Sequence, residues 1–112
     1  MKMRLIFSTI FLTTFLTVAV RAETPHAYPV PFTPSRNPAH TAISFTNLPG
    51  DGKIRIYTID GHLVNELPIA VGQLVVDWPA TNSKGEKVAT GVYLYDIEGS
   101  GTSVQGKLVI IR

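Results

Sequence analysis

The sequence predicts an all-β protein, an antiparallel sandwich of about seven short strands. Several short runs alternate between apolar and polar residues, which is the period of a half-buried strand. Glycine, proline, asparagine and aspartate separate these runs at fairly regular intervals. No run after residue 22 has the 3.6-residue period of an amphipathic helix. Helical and α/β architectures are therefore excluded in favour of a two-sheet β fold.

Residues 1–22 have the layout of a secretory signal peptide. Lys2 and Arg4 precede an apolar run over 5–20, and Ala22 is a small residue suited to the position before cleavage. We expect cleavage between Ala22 and Glu23. The run of 16 residues is shorter than the ~20 that a spanning helix needs. We therefore expect membrane contact only through the signal peptide before cleavage, and an exported product, secreted or at the cell surface after passing through the periplasm.

The exported part is nearly neutral. Ten basic residues less the three in positions 1–21 leave seven, against eight acidic residues. Nucleic-acid binding requires a basic face that displaces phosphate counterions, so this charge argues against it. The sequence has no cysteine, which excludes disulfides, thiolate metal sites and a cysteine nucleophile. A domain of about 90 residues must then depend on its hydrophobic core.

The segment 23–38 contains five prolines and precedes the first regular strand pattern. Proline fixes φ and donates no backbone hydrogen bond, so this segment is neither a helix nor a central strand. Two interpretations remain open. The segment is either a solvated linker or an edge segment that docks across the sandwich, with Tyr28 and Phe32 as its apolar anchors.

The sandwich itself is expected to occupy 39–112 and to be immunoglobulin-like (fibronectin-III-like). Six strand patterns are clear enough to bound, at 41–46, 53–59, 62–67, 73–78, 92–97 and 104–111. Asp60-Gly61 between two of them predicts a hairpin with a type I′ turn. The residues predicted to form the core are Phe45, Ile54, Ile56, Trp78, Val92, Tyr93 and Tyr95.

Several segments together resemble a known bacterial family. They are 28–34, 42–45, the hairpin 56–64, the stretch 78–95 and the strand 107–112. In this order they are similar to the FlgD-type immunoglobulin-like domain and to the C-terminal sorting domain of type IX secretion cargo. The family usually has Asp-Gly after the tryptophan, where this chain has Pro79-Ala80.

The resemblance implies a non-enzymatic protein without a cofactor that acts in recognition, secretion or cell-surface attachment. Its partners would be the secretion machinery or other surface proteins, reached through edge strands. The implied sorting or docking strand consists of Lys107, Leu108, Val109, Ile110, Ile111 and Arg112. An ordinary core strand is the alternative interpretation of the same residues. A structural module of an extracellular or flagellar-hook-type assembly is a further alternative for the protein as a whole.

The remaining polar and aromatic residues predict no reaction. The three histidines lack the ligand spacing of a zinc site, and no acidic loop has the oxygen-ligand spacing of a calcium loop. We therefore predict no metal site and no catalytic residue. The aromatic residues favour a buried core, with a carbohydrate-binding platform as the alternative. Those aromatic residues are Phe45, Tyr57, Trp78, Tyr93 and Tyr95.

Overall fold

The computed structural model describes residues 24–112, so the predicted signal peptide and the Ala22–Glu23 cleavage site lie outside the described residues. Within that range the chain forms seven strands and no helix. None of its elements is an apolar helix long enough to cross a membrane. The strands are β1 (His26–Tyr28), β2 (Ile43–Thr46), β3 (Lys53–Thr58), β4 (Leu63–Pro68), β5 (Val76–Trp78), β6 (Gly91–Gly99) and β7 (Thr102–Ile110).

The seven strands form two antiparallel sheets, which confirms the predicted fold class. One sheet has the order β1-β2-β5 and the other has the order β4-β3-β6-β7. Side chains from both sheets and from the loops between them form one buried cluster. The buried residues are Phe32, Ile43, Phe45, Leu48, Ile54, Ile56, Ile69, Trp78, Ala80, Val88, Tyr93, Tyr95, Ile97, Leu108 and Ile110.

Six of the seven residues predicted as core lie in this cluster, and Val92 does not. The prediction for Val92 is wrong because successive side chains of a strand point to opposite faces. Tyr93 and Tyr95 point inward, so Val92 points out of the sheet and is 37% exposed. It lies opposite Val109 of β7 on that outer face.

The strand predicted over 73–78 is shorter than its pattern suggested. Only Val76–Trp78 pairs with β2, and Leu74 is 59% exposed instead of sharing the buried face of Trp78. The Trp78 indole Nε1 donates to the Thr81 carbonyl at 2.8 Å, so the one polar atom of this buried ring has a partner.

The hairpin between β3 and β4 exists, but its turn is not type I′. A type I′ turn needs positive φ at both central residues. In this loop Gly61 has a φ of 94°, whereas Asp60 is not in the left-handed region. The Gly61 N–H donates to the Thr58 carbonyl at 3.0 Å and the Thr58 N–H donates to the His62 carbonyl at 2.8 Å. These bonds define a three-residue loop with a glycine bulge.

The hairpin between β6 and β7 has positive φ angles at both central residues, as predicted for Asp60-Gly61. Ser100 has a φ of 48° and Gly101 a φ of 74°. They form a two-residue loop between the paired residues Gly99 and Thr102. Positive φ at both positions is the mark of a type I′ turn.

The proline-rich segment belongs to the sandwich. His26–Tyr28 pairs with Ser44–Thr46 as the edge strand of the three-stranded sheet. Phe32, a few residues later, is 2% exposed and contacts the other sheet. The sandwich therefore begins at residue 26 and not at residue 39, and the segment is docked and not a solvated linker.

Candidate functional site

Strand β7, which contains most of the predicted docking strand, lies at one edge of the four-stranded sheet. On its inner side it pairs with β6 along its whole length, from Gly99↔Thr102 to Gly91↔Ile110. The opposite side of β7 is the outer edge of the sheet. An edge presents backbone N–H and C=O groups that another strand can bond.

The apolar residues of the predicted docking strand divide between the core and the surface. Leu108 and Ile110 are fully buried, whereas Val109 and Ile111 are partly exposed. The strand is therefore half core and half surface, and a partner of the folded domain meets only its outward residues and its backbone edge.

Gly106 keeps the middle of β7 close to the core. A Cβ at this position would overlap the Tyr95 ring, which lies across from it on β6. Burial raises the pKa of the Tyr95 phenol, an effect opposed by a backbone hydrogen bond from Ala27 of β1. The Tyr95 side chain thus links the four-stranded sheet to the edge strand of the other sheet.

The outer edge of β7 is covered at its C-terminal end by the proline-rich segment. The Phe32 N–H donates to the Val109 carbonyl at 2.8 Å, and the Ile111 N–H donates to the Phe32 carbonyl at 2.9 Å. The two segments run parallel here. The Phe32 ring stacks on His40 with centroids 6.0 Å apart, and His40 Nδ1 accepts from the Thr33 N–H at 3.0 Å.

Arg112 anchors the same end of the strand to the loop between β5 and β6. Its guanidinium donates to the carbonyls of Val88 at 2.6 Å and Ala80 at 2.9 Å, and its N–H donates to the Thr90 hydroxyl at 2.9 Å. Ala80 has a φ of 60°, a conformation that favours glycine. A residue other than glycine keeps a positive φ only where the surrounding contacts stabilise it, and the hydrogen bond from Arg112 to the Ala80 carbonyl is one such contact.

The N-terminal part of the outer edge is open. The Val109 carbonyl points to this edge, and backbone groups along a strand alternate between its two sides. The N–H and C=O groups of Ser103, Gln105 and Lys107 therefore point to the same edge. Within residues 24–112 no strand pairs with them, and their side chains are exposed. This open edge, 103–107, is the candidate docking site.

An exposed apolar patch lies on the sheet face next to the open edge. Val92 and Leu94 of β6, the strand next to β7, are 37% and 39% exposed. Leu94 lies directly between Tyr57 and Lys107 across three strands. A strand added to the open edge would extend this face, with the outward side chains of β7 between it and the patch.

The three histidines lie apart. His26 is on the edge strand β1, His40 packs under Phe32, and His62 forms an exposed 3.2 Å contact with Asp60. Across residues 24–112, no three His, Asp or Glu side chains come together as metal ligands do. Asp60 lies in the hairpin, where a hydrogen bond from the Thr58 hydroxyl lowers the pKa of its carboxyl.

The open edge could not be identified from the sequence, which instead pointed to 107–112 as the docking strand. Ser103 and Gln105 carry no sequence signal for docking, because the accessibility of their backbone groups depends on which neighbour each side of β7 has. The contact of Phe32 with Val109 and Ile111 was also missed, although Phe32 itself was recognised as an apolar anchor.

Comparison with known proteins extends the structural result. No protein-family model and no curated protein matches the chain. Among solved structures, PorZ of Porphyromonas gingivalis is similar with a TM-score of 0.63 and 23% identity. It is described as an essential bacterial surface component of the type IX secretion system. Dimeric latent PorU from the same organism is similar with a TM-score of 0.55 and 24% identity.

These likenesses cover 79% and 78% of this chain but only 11% and 9% of PorZ and PorU. The chain therefore corresponds to a small part of each of these two proteins. At this level of identity the similarity establishes a shared sandwich fold.

Proposed function

We propose that this protein is an exported, non-catalytic β-sandwich that acts in secretion or cell-surface attachment, in the manner of a type IX sorting domain. The sequence resemblance and the likeness to a surface component of that secretion system support this proposal. The recognition element is the open edge 103–107 of β7, which a strand of the secretion machinery or of another surface protein would pair with.

The observation that carries the proposal is the half-covered edge of β7. Phe32 and Arg112 hold the C-terminal end in place, while the backbone groups of Ser103, Gln105 and Lys107 stay accessible. Strand addition takes its affinity from main-chain hydrogen bonds and its specificity from alternate side chains. A partner strand would form these bonds along its backbone and place its outward side chains beside those of Ser103, Gln105 and Lys107.

Recognition of the folded domain follows from the burial of the strand. Leu108 and Ile110 are fully buried, so releasing β7 as a free peptide would open the core. We therefore propose that the partner binds β7 while it remains part of the folded sheet. Lys107 at the open edge favours a partner with an acidic residue at the facing position, since opposite charges across a strand pair are stabilising.

A proline at the edge tests this proposal. In Gln105→Pro the outward N–H is removed and the ring blocks an incoming strand, while an edge position whose N–H faces solvent tolerates proline. The matched control is Gln105→Ala, which keeps the N–H. In the native host, surface delivery is followed by protease accessibility of intact cells and by cell fractionation.

We expect Gln105→Ala to reach the surface as the wild type does, and Gln105→Pro to accumulate in the periplasm with a melting temperature close to that of the wild type. Equal surface delivery of both folded variants would contradict recognition through this edge.

A carbohydrate-binding platform made of the predicted aromatic residues is not supported. Phe45, Trp78, Tyr93 and Tyr95 are all at most 8% exposed, and Tyr57 is only partly exposed. A ligand would have no access to the first four rings.

A further inference from the structure

A polar and aromatic row crosses the outer face of the three-stranded sheet, on a different sheet from the open edge. Tyr28 of β1 lies opposite Ser44 of β2, and Ser44 lies opposite Asp77 of β5. The Ser44 hydroxyl donates to Asp77 Oδ1 at 2.7 Å. Three neighbouring strands thus place an aromatic ring, a hydroxyl and a carboxylate side by side.

A cleft of about 330 Å³ opens over this row. Pro29 and the loop 39–42 form its walls, with His40 and Thr41 among the lining residues. Its volume lies at the lower end of the roughly 300–1,000 Å³ typical of small-molecule sites. The cleft therefore suits one compact ligand unit.

Tyr28 is the aromatic side chain that this cleft offers to a ligand. It is 53% exposed, and its ring contacts His26 with centroids 6.2 Å apart at an interplanar angle of 37°. A single exposed aromatic residue is ordinary on a protein surface. This ring differs because hydrogen-bonding groups converge beside it in a concave site, which is the arrangement of ligand pockets.

We infer that this cleft binds a neutral hexopyranose unit of a glycan. A pyranose presents an apolar C–H face, which packs on the Tyr28 ring, and several hydroxyl donors at its rim. An ionised carboxylate has about four acceptor positions. Asp77 uses one for Ser44 and keeps the others for sugar hydroxyls, and the charge of the acceptor shortens and strengthens these bonds.

The charge of the cleft sets the class of sugar. Among its lining residues, all within the described part of the chain, none is lysine or arginine, and Asp77 carries a negative charge. An acidic sugar would therefore be placed beside a like charge without a cation to offset it, which is unfavourable. His40 directs Nδ1 towards the Thr33 N–H, so this ring nitrogen is already engaged.

The test is binding to an array of immobilised neutral and acidic glycans, using the protein as its host exports it. The variants are Tyr28→Ala, Tyr28→Phe and Asp77→Asn. The control is Leu63→Ala, which truncates a 54% exposed side chain on the other sheet. The melting temperature of each variant is measured to separate loss of binding from loss of folding. Neutral glycans retained by the wild type are then titrated in solution.

We expect retention of at least one neutral hexose-containing glycan. Tyr28→Ala and Asp77→Asn should each weaken its binding at least about tenfold, a loss typical of a residue central to a binding site. Tyr28→Phe keeps the ring and should bind within about threefold of the wild type. Leu63→Ala should bind as the wild type does.

Three results would overturn the inference. They are retention of no glycan at millimolar concentration, retention of acidic glycans alone, and equal binding by the wild type and a folded Tyr28→Ala. Because this cleft and the open edge of β7 lie on different sheets, failure here would leave surface delivery and its dependence on Gln105 unaffected.

Discussion

Truncation of Phe32 tests whether the proline-rich segment is a structural part of the sandwich. Phe32 is 2% exposed and packs between the core and His40, so Phe32→Ala removes a whole ring from a closed site. Such a change costs about 3–5 kcal/mol. Some 89 described residues correspond to a total stability of roughly 4–13 kcal/mol at about 0.05–0.15 kcal/mol per residue. The variant should therefore lose about a quarter or more of its stability.

Urea denaturation and thermal melting measure this loss. For a domain of this size each kcal/mol lowers the melting temperature by about 4–8 °C, so a decrease of roughly 12–40 °C is expected. Hydrogen exchange adds a local measurement. The Ile111 amide donates to the Phe32 carbonyl and should exchange faster in the variant, beyond the change expected from the lower global stability.

The matched control is Val71→Ala, which shortens a side chain that is 94% exposed in the loop before β5. It should change the free energy of unfolding by no more than about 0.5 kcal/mol. A loss below about 1 kcal/mol in Phe32→Ala, comparable to that of the control, would refute the assignment of Phe32 to the core.

Two further predictions concern β7 and the first hairpin. Gly106→Ala should destabilise the domain by about 1–3 kcal/mol, because the added carbon overlaps the Tyr95 ring. The control Gly91→Ala should not destabilise it in this way, because the nearest atom to the added carbon is 3.7 Å away. Equal unfolding free energies of the two variants would contradict this packing. Since the Thr58 hydroxyl is the main cause of the lowered pKa of Asp60, Thr58→Val should raise this pKa towards the ordinary aspartate value of about 3.9. NMR titration of the carboxyl carbon measures the change. At a pH above the pKa of Asp60 in the unfolded chain, the lowered pKa stabilises the folded state. This contribution disappears as the pH falls through the pKa of Asp60 in the folded state. An unchanged titration of Asp60 in Thr58→Val would exclude the hydroxyl as the cause of the lowered pKa.

The fold class could be predicted because alternation and turn residues act locally. Ile54 and Ile56 are buried where their two-residue period placed them. The error at Val92 arose in a strand with apolar residues on both faces, where alternation alone does not show which face is inside. The partner strands decide this, and they are distant in sequence.

The candidate site was less predictable than the fold. The composition of 107–112 pointed to β7, but accessibility along β7 depends on its neighbours. One side of β7 is bonded to β6, and Phe32 occupies the end of the other side. The turn at Asp60-Gly61 shows the same limit on a smaller scale, because the dipeptide permits two loop types and the pairing of the flanking strands selects one.

The pairing of Phe32 with the end of β7 has a consequence for the order in which the sandwich folds. The two segments lie near opposite ends of the described chain, so their contact closes a very long loop and adds to a high contact order. A chain that emerges from its N-terminus cannot form this contact until the residues around Ile110 have also emerged. Until then Phe32 and the edge of β6 that pairs with β7 lack their partners, and the sandwich is incomplete. In a chain that becomes available from its N-terminus onward, the contact that completes the native state is thus among the last to form.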